Sequence, residues 1–428
     1  MSLSRTGVSA ADVPPTDSSG LDVDAIRADF PLLARRQDNK RLVFLDSAAS
    51  SQKPQCVLDA MDDLYQTSYA NVHRGVYRIA EEATRRMEEA RAKVASFVGA
   101  PSANECVFTK NVTEAINLVA YAWGGANLAQ GDAVVLTELE HHANIVPWLM
   151  LADRQGIEIR WIPLGDDDQL DLTDLDRLLD GAKLLSFSAM SNVLGTLTPI
   201  RRLTDAAHAA GAITLVDGAQ YVPHLPTDVV DMGTDLFAFT GHKMCGPTGI
   251  GVLWGRAELL EAMPPFLGGG EMIRDVRKDS FTTNDIPWKF EAGTPPIAEA
   301  VGLGAAVDYL SRLGMTAVRR HEVELTGYAM RTLGERFEDR LTIHGPSEPA
   351  ARGGVLSMQL GDLHAHDVSQ VLDEHNVCVR AGHHCAKPLM RYLGVGATAR
   401  ASLYVYNDRD DIDALADALD ACENFFAF

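Results

Sequence analysis

No stretch of the 428 residues approaches the unbroken apolar length that a membrane-spanning helix needs, so a soluble protein without a membrane partner is expected. Basic charge is scarce as well: 38 Lys and Arg stand against 59 Asp and Glu, a formal net charge of -21. That balance excludes nucleic acid and anionic lipid as partners, since both require a basic face. Cysteine is sparse. Cys56, Cys106, Cys245, Cys378, Cys385 and Cys422 are scattered with no C-x-x-C pair, which argues against a disulfide framework and for a reducing cytoplasm. Residues 1–20 lack the apolar segment of a secretory signal and read as a disordered tail. What the chain does have is a core. Hydrophobic residues make up 46% of a length too great for one compact unit, so a large domain and a smaller one are expected.

The stretch Asp235 to Trp254 is apolar, breaks at Thr240-Gly-His-Lys243 and resumes at Gly249. It reads as a buried strand ending in a loop, which carries Lys243 to a strand tip. Burial favours the neutral amine, and a neutral lysine forms a Schiff base with an aldehyde. Thr240 and His242 beside it suit the phosphate of pyridoxal phosphate, although a loop lysine on its own is more often a solvated charge.

Upstream, apolar runs alternate with amphipathic segments. Strands are expected at 42–46, 105–109, 133–137, 157–163, 183–188 and 212–217, with helices over 81–98, 114–123, from 145, across 172–179 and over 201–210. Such alternation implies parallel strands joined by crossover helices, with the loops at the carboxyl ends of the strands forming a cleft. Four loops then share one rim: 140–144, 191–195, 217–220 and 240–243. Asp217 there suits a pyridine nitrogen, Gln220 and Asn192 a ring hydroxyl, and His141 a ring face. Thr113, near the start of the helix at 114, is either a second phosphate contact or simply that helix's cap.

Beyond Trp254 a helix is expected over 256–263, then an irregular stretch over 264–293 that ends before Thr294, Pro295 and Pro296. Helices over 297–310 and 315–337 lead to a small α/β unit with strands at 355–360, 377–380 and 401–406 and helices over 367–374 and 410–425. In it, Arg380-Ala-Gly-His-His-Cys385-Ala-Lys sets a cysteine among cationic side chains, which makes Cys385 the best nucleophile of the six. Arg380 and Arg400 suit a substrate carboxylate, or else form surface ion pairs. A zinc site built from His364, His366, His383, His384 and Cys385 fits no common ligand spacing, so no metal is expected.

Taken together these residues resemble the SUF-type, or group II, cysteine desulfurases of the class V aminotransferase family. The similarity runs from about Leu42 to Phe426 through Asn71-Val-His-Arg-Gly75, Thr113-Glu-Ala-Ile-Asn117, His141-His-Ala-Asn-Ile-Val-Pro-Trp148, Ser191-Asn-Val-Leu-Gly195, Asp217-Gly-Ala-Gln220, Gly241-His-Lys243 and Arg380-Ala-Gly-His-His-Cys385. It implies the α/β fold type I of pyridoxal-phosphate enzymes: a large domain with a mainly parallel seven-stranded sheet and a small C-terminal α/β domain. The boundaries expected are a tail over 1–20, a segment over 21–41 packing on the small domain, a large cofactor domain over 42–314 and a small domain over 315–428 carrying the cysteine loop. By resemblance Lys243 is the Schiff-base lysine, Cys385 the persulfide carrier, and His141 a catalytic residue stacked on the ring. Asp217 holds the ring nitrogen, Gln220 the ring hydroxyl, and Thr113, Thr240 and His242 the phosphate. Thr294 reaches the phosphate of a neighbouring subunit in a homodimer. Arg400 holds the substrate carboxylate, with Arg74 and Asn192 near it. Val112 stands where the family often has a small hydroxyl residue before the phosphate threonine, a departure that bears on one of the family's phosphate contacts.

The activity implied is conversion of L-cysteine to L-alanine with a protein persulfide, feeding iron-sulfur cluster assembly through a sulfur-acceptor protein of the SUF system. L-Selenocysteine lyase on the same scaffold is the alternative, and a non-catalytic scaffold for an acceptor protein is the rival from another class. His364-Ala-His366-Asp367 reads either as a docking or zinc-exchange feature for an acceptor protein or as a polar helix start.

Overall fold

The computed structural model describes residues 20–37 and 40–426, so the tail expected over 1–20 lies outside the described residues except for Gly20. The alternating region forms a seven-stranded sheet: β1 (Cys106–Thr109), β2 (Ala133–Thr137), β3 (Glu158–Ile162), β4 (Ala182–Ser188), β5 (Ile213–Asp217), β6 (Leu236–Thr240) and β7 (Gly251–Gly255). Their spatial order is β1-β7-β6-β5-β4-β2-β3. Only β7 runs against its neighbours; the other pairs are parallel. Every residue of β1, β2, β6 and β7 is buried. The sheet is covered on both faces, which is why these strands read as continuous apolar runs. Successive side chains part to opposite sides: Val135, Phe187 and Phe237 join one core, and Val134, Leu136, Leu184 and Leu236 the other.

The C-terminal unit is a four-stranded antiparallel sheet of β8 (Leu341–His344), β9 (Val355–Leu360), β10 (Arg380–Gly382) and β11 (Thr398–Ser402), in the order β8-β9-β11-β10. Helices Met315–Phe337, Ala365–Glu374 and Arg409–Phe426 pack on it. Several boundaries differ from the sequence reading. The strand expected over 377–380 divides, because Val377–Cys378 pairs in parallel with Val43–Phe44 while Arg380 starts β10. The strand expected at 401–406 begins at Thr398 and ends at Ser402, beyond which Tyr404 and Tyr406 join the core that also covers the large sheet. Val43 and Leu45 pack in the core of the small unit, not with the large one in which a boundary at residue 42 placed them. The expected irregular stretch over 264–293 contains a hairpin, Ile273–Val276 with Phe281–Thr283, whose exposed side chains give no apolar pattern to read. Helices Gln55–Thr67 and Lys387–Tyr392 and strand β8 were not legible; the first buries only Val57 and Leu64.

The N-terminal segment is tied to both units. Phe30 packs edge-on against Tyr309 and Tyr406, while Arg27 pairs with Asp411 at 3.5 Å and Arg41 with Asp408 and Asp411 at 2.8 Å. A second seam joins the loop after β4 to the small unit. The Ser357 hydroxyl donates to the Val193 carbonyl (2.6 Å), and the Gly353 amide to the Gly195 carbonyl (2.9 Å). Gly195 has φ +72°, and a Cβ there meets the Gly353 carbonyl oxygen at 2.9 Å, so this approach requires glycine.

Beneath β1, Arg91 is fully buried. It donates to both carboxylate oxygens of Glu291 (2.6 and 2.9 Å) and to the Cys106 carbonyl (2.8 Å), and the Phe108 amide donates to Glu291 (2.7 Å). The pair anchors the stretch leading to Thr294. Arg91→Ala strands the Glu291 charge in the core, so the expected loss is about 3–5 kcal/mol, read as a lowered denaturant midpoint in equilibrium unfolding.

Candidate active site

The carboxyl ends of β2, β4, β5 and β6 meet on one rim, where parallel sheets place their ligands. Asp217, the last residue of β5, is buried and accepts the Ala219 amide (2.9 Å). β6 ends at Thr240 and turns at once into a short 3-10 helix, Gly241–Lys243, which delivers the lysine to the same rim. Burial pulls the Lys243 amine down to about 8, opposed by Asp217 and by Cys385 and assisted by Arg400 and Arg380. An amine at that value is about a tenth neutral at pH 7, against a few parts in ten thousand for an ordinary lysine. Burial likewise raises Asp217 above the usual carboxylate range, with the Ala219 amide and Lys243 opposing it.

The loop after β2 is rigid for a reason the sequence did not disclose. Glu140 is fully buried and accepts from the Thr137 hydroxyl (2.6 Å), the Ser188 amide (2.9 Å) and hydroxyl (2.8 Å), and the Asn144 side chain (2.7 Å). Burial lifts its carboxyl to about 7 against these four donors. His141 follows directly. Its Nδ1 accepts the Ala143 amide (3.1 Å), which leaves the proton of the neutral ring on Nε2. Burial, then Lys243, lowers its pKa to about 3, so it is uncharged at neutral pH.

The cysteine loop of the small unit is fastened to this rim. The His142 amide donates to the Cys385 carbonyl (2.7 Å), the Lys387 amide to His142 Nε2 (3.0 Å), and the Asn192 side chain to the His384 carbonyl (2.8 Å). Cys385 is exposed, and both it and His384 lie in the left-handed region at φ +55° and +49°. Each such residue stores about 1–3 kcal/mol, which these cross-unit bonds hold in place. The thiol is within electrostatic reach of Lys243, Arg380 and Arg400.

A family model described as aminotransferase class-V matches residues 43–415. The chain belongs to the class-V aminotransferase family. It is 52% identical over 412 residues to a probable cysteine desulfurase of Streptomyces coelicolor, with 95% of this chain and 98% of that one covered. Among solved structures, the apo form of a cysteine desulfurase from Thermococcus onnurineus NA1 matches with a TM-score of 0.89 at 38% identity, covering 94% of this chain and 98% of that one. The cysteine desulfurase CsdA of Escherichia coli, in an S-sulfonic acid form, matches with a TM-score of 0.86 at 38% identity over 95% and 99% of the two chains.

In this class-V chain the remaining expected residues divide into two groups. Arg400 is buried in β11; its Nη1 donates to the Asn192 carbonyl (2.9 Å), and burial brings it down to about 10. Gln220 is buried and donates to the Ala48 carbonyl (2.7 Å) while its Oε1 has no partner among the described residues. Thr240 donates weakly to the Ile250 carbonyl (3.4 Å), and the His242 carbonyl accepts from Ser51 and Lys53. Thr113 is exposed and does not cap its helix: Asn111 does, accepting the Glu114 amide (3.0 Å), and Thr113 is the second helical residue. Val112 points into the core.

Arg380 is half exposed and its fork is taken by Asp46, with three contacts of 3.0–3.2 Å, so the ion-pair alternative describes it better than a free carboxylate anchor. Arg74, 60% exposed, is held by Glu271 (3.1 Å). Thr294 is exposed. Lys53, Asp46 and Glu140 were missed, because a charged residue beside a polar loop reads as solvated; only Glu140, set between a buried strand and the His141 pair, carried a legible hint.

Three site histidines share one consequence. Burial first, then nearby cations, lowers His141 and His384 to about 3 and His242 to about 4. The stability of their neutral forms is fully present above pH 6.5. Below that the unfolded chain binds protons that the folded one refuses until pH 3–4, so stability is lost as pH falls through this window. In cofactor-free protein the urea midpoint is expected to drop from pH 7 to pH 4.5, and more steeply than in His384→Gln measured alongside.

Proposed function

We propose that this chain is a pyridoxal-phosphate-dependent cysteine desulfurase of SUF type, converting L-cysteine to L-alanine and carrying the sulfur as a persulfide on Cys385. The observation that carries this reading is the fastening of the Cys385 loop to the His141 loop within electrostatic reach of the Lys243 amine. An aminotransferase of this fold has no use for a thiol so placed.

The side chains on the rim fit the cofactor. A buried carboxylate suits a pyridinium nitrogen, the unpartnered Gln220 Oε1 suits a ring hydroxyl, and the neutral face of His141 suits an aromatic ring. Thr113, Thr240 and His242 serve the phosphate, with Thr294 supplied by a second subunit. Pyridoxal phosphate held by these residues would, when bound, supply a sink for the electrons of the substrate's Cα–H bond. The amine of Lys243 takes the α-proton; its lowered pKa suits it to act as a base near neutrality. Arg400 holds the α-carboxylate, and Asn192 fixes both that arginine and the cysteine loop. The Cys385 thiolate attacks the substrate sulfur: an S–S bond forms, the Cβ–S bond breaks with its electron pair left on carbon, and protonation of Cβ, together with return of a proton to Cα in place of the one Lys243 removed, gives L-alanine. Sulfur is oxidised as carbon is reduced, so no external oxidant is needed.

The reading extends to a cytoplasmic homodimer that hands sulfur to an acceptor protein for iron-sulfur assembly. In support of the dimer, Val76, Tyr77 and Ile79 leave apolar surface exposed beside Arg74. In support of acceptor docking, a cavity of about 520 Å³ borders His383, and His364 and His366 stack on its rim with centroids 5.3 Å apart.

Lys243→Ala is expected to abolish both alanine and sulfide release. Cys385→Ser separates the reading from a selenocysteine lyase: loss of at least about tenfold on L-cysteine with most activity on L-selenocysteine kept fits a persulfide route, because selenium leaves more easily. Equal retention on both substrates removes that route. Peptide mass spectrometry after exposure to L-cysteine should find the added sulfur at Cys385.

A further inference from the structure

Asp46 has no part in the chemistry described so far, yet its carboxylate is the acceptor common to both arginines of the site. It follows the short Val43–Phe44 strand and bridges to Ser402 at the end of β11. Arg380 Nε lies 3.1 and 3.2 Å from its two oxygens and Arg380 Nη2 3.0 Å from Oδ2; Arg400 Nη2 lies 3.3 Å from Oδ1. The remaining contacts of Arg400 are unequal. Its Nη1 is taken by the Asn192 carbonyl, whereas its Nε is buried with no partner among the described residues. A fixed guanidinium with one buried, unanswered N–H is a donor site awaiting an oxyanion.

Charge decides what completes it. Two guanidinium groups bring two positive charges that persist at neutral pH, and Asp46 removes one of them. The pair and its carboxylate therefore carry one net positive charge, which the single α-carboxylate of an ordinary amino acid balances. An amino acid with a second acidic group brings a further negative charge into a space where Arg380 is already engaged and Asp46 repels it. We propose that Asp46 is a specificity-determining residue: by neutralising one of two site arginines it matches the cleft to substrates with one carboxylate and disfavours acidic amino acids. This inference rests on the reading of Arg400 as the carboxylate anchor.

The test uses purified holoenzyme titrated with L-alanine and with L-aspartate, following the visible absorbance of the cofactor. In Asp46→Asn the ratio of the aspartate Kd to the alanine Kd is expected to fall by about tenfold or more, and Asp46→Glu should keep the wild-type ratio. A double variant, Asp46→Asn with Arg380→Gln, returns the site to one net positive charge and should restore that ratio. A ratio unchanged in Asp46→Asn overturns the proposal. Should that variant not fold, Arg380→Gln alone leaves no net charge and is expected to weaken L-alanine binding by about tenfold, with unchanged binding again overturning it. Arg400→Gln keeps the two claims apart. If it binds L-alanine as the wild type does, Arg400 is not the anchor; if it loses L-alanine while the Asp46→Asn ratio stays fixed, only the role of Asp46 falls.

Discussion

Taking an ammonium out of water costs far more than taking out an amine, and the protein sets that cost at one residue, Lys243. A lysine can be withdrawn this way only if the scaffold around it is rigid and dry. The seven-stranded sheet provides both, because its central strands are buried on each face and stop together at the rim. The same desolvation keeps His141 neutral, raises Asp217 and Glu140, and makes each of them depend on nearby hydrogen bonds, which for Glu140 come partly from Ser188 on β4. A site whose buried ionisable groups are pushed toward their uncharged forms follows from one constraint: water is kept away from the strand ends.

The second requirement is that a thiol from a different unit reach this rim. The protein meets it with backbone contacts, which do not depend on the rotamers of long side chains. His142 clasps the cysteine loop through its own amide and its ring nitrogen, and Asn192 holds the loop from the other side while its carbonyl steadies Arg400. The seam at Gly195, Val193 and Ser357 fixes the relative placement of the two sheets. The cysteine loop and Arg400 are thereby set by one connected network rather than by separate loops.

Much of this was legible in the amino-acid order. The buried strands announced themselves as apolar runs, and the residues at or just beyond their ends, Asp217, Lys243 and His141, were found by asking what a strand end presents. Motifs extended the reading where spacing alone stopped. The sequence was silent where pairing is non-local. Nothing near Asp46 reveals that Arg380 and Arg400 converge on it, since the partners lie more than 330 positions away. Thr113 was misread as a near-cap because Asn111, two positions earlier, is equally suited to the task, and only the helix start decides between them. The 377–380 stretch looked like one strand because local pattern does not show which sheet a residue joins.

The parallel pairing of Val43–Phe44 with Val377–Cys378 also constrains the order of assembly during synthesis. The first of these strands leaves the ribosome with its partner still untranslated, a gap on the order of 20 to 70 s at ordinary elongation rates. During that interval every strand of the large sheet is made and free to pair, while Val43 and Leu45 have no core of their own to enter. The large sheet can thus be in place before the small unit closes around the returning N-terminal segment, and the thiol-bearing loop, translated after every strand of that sheet, docks on a rim already built.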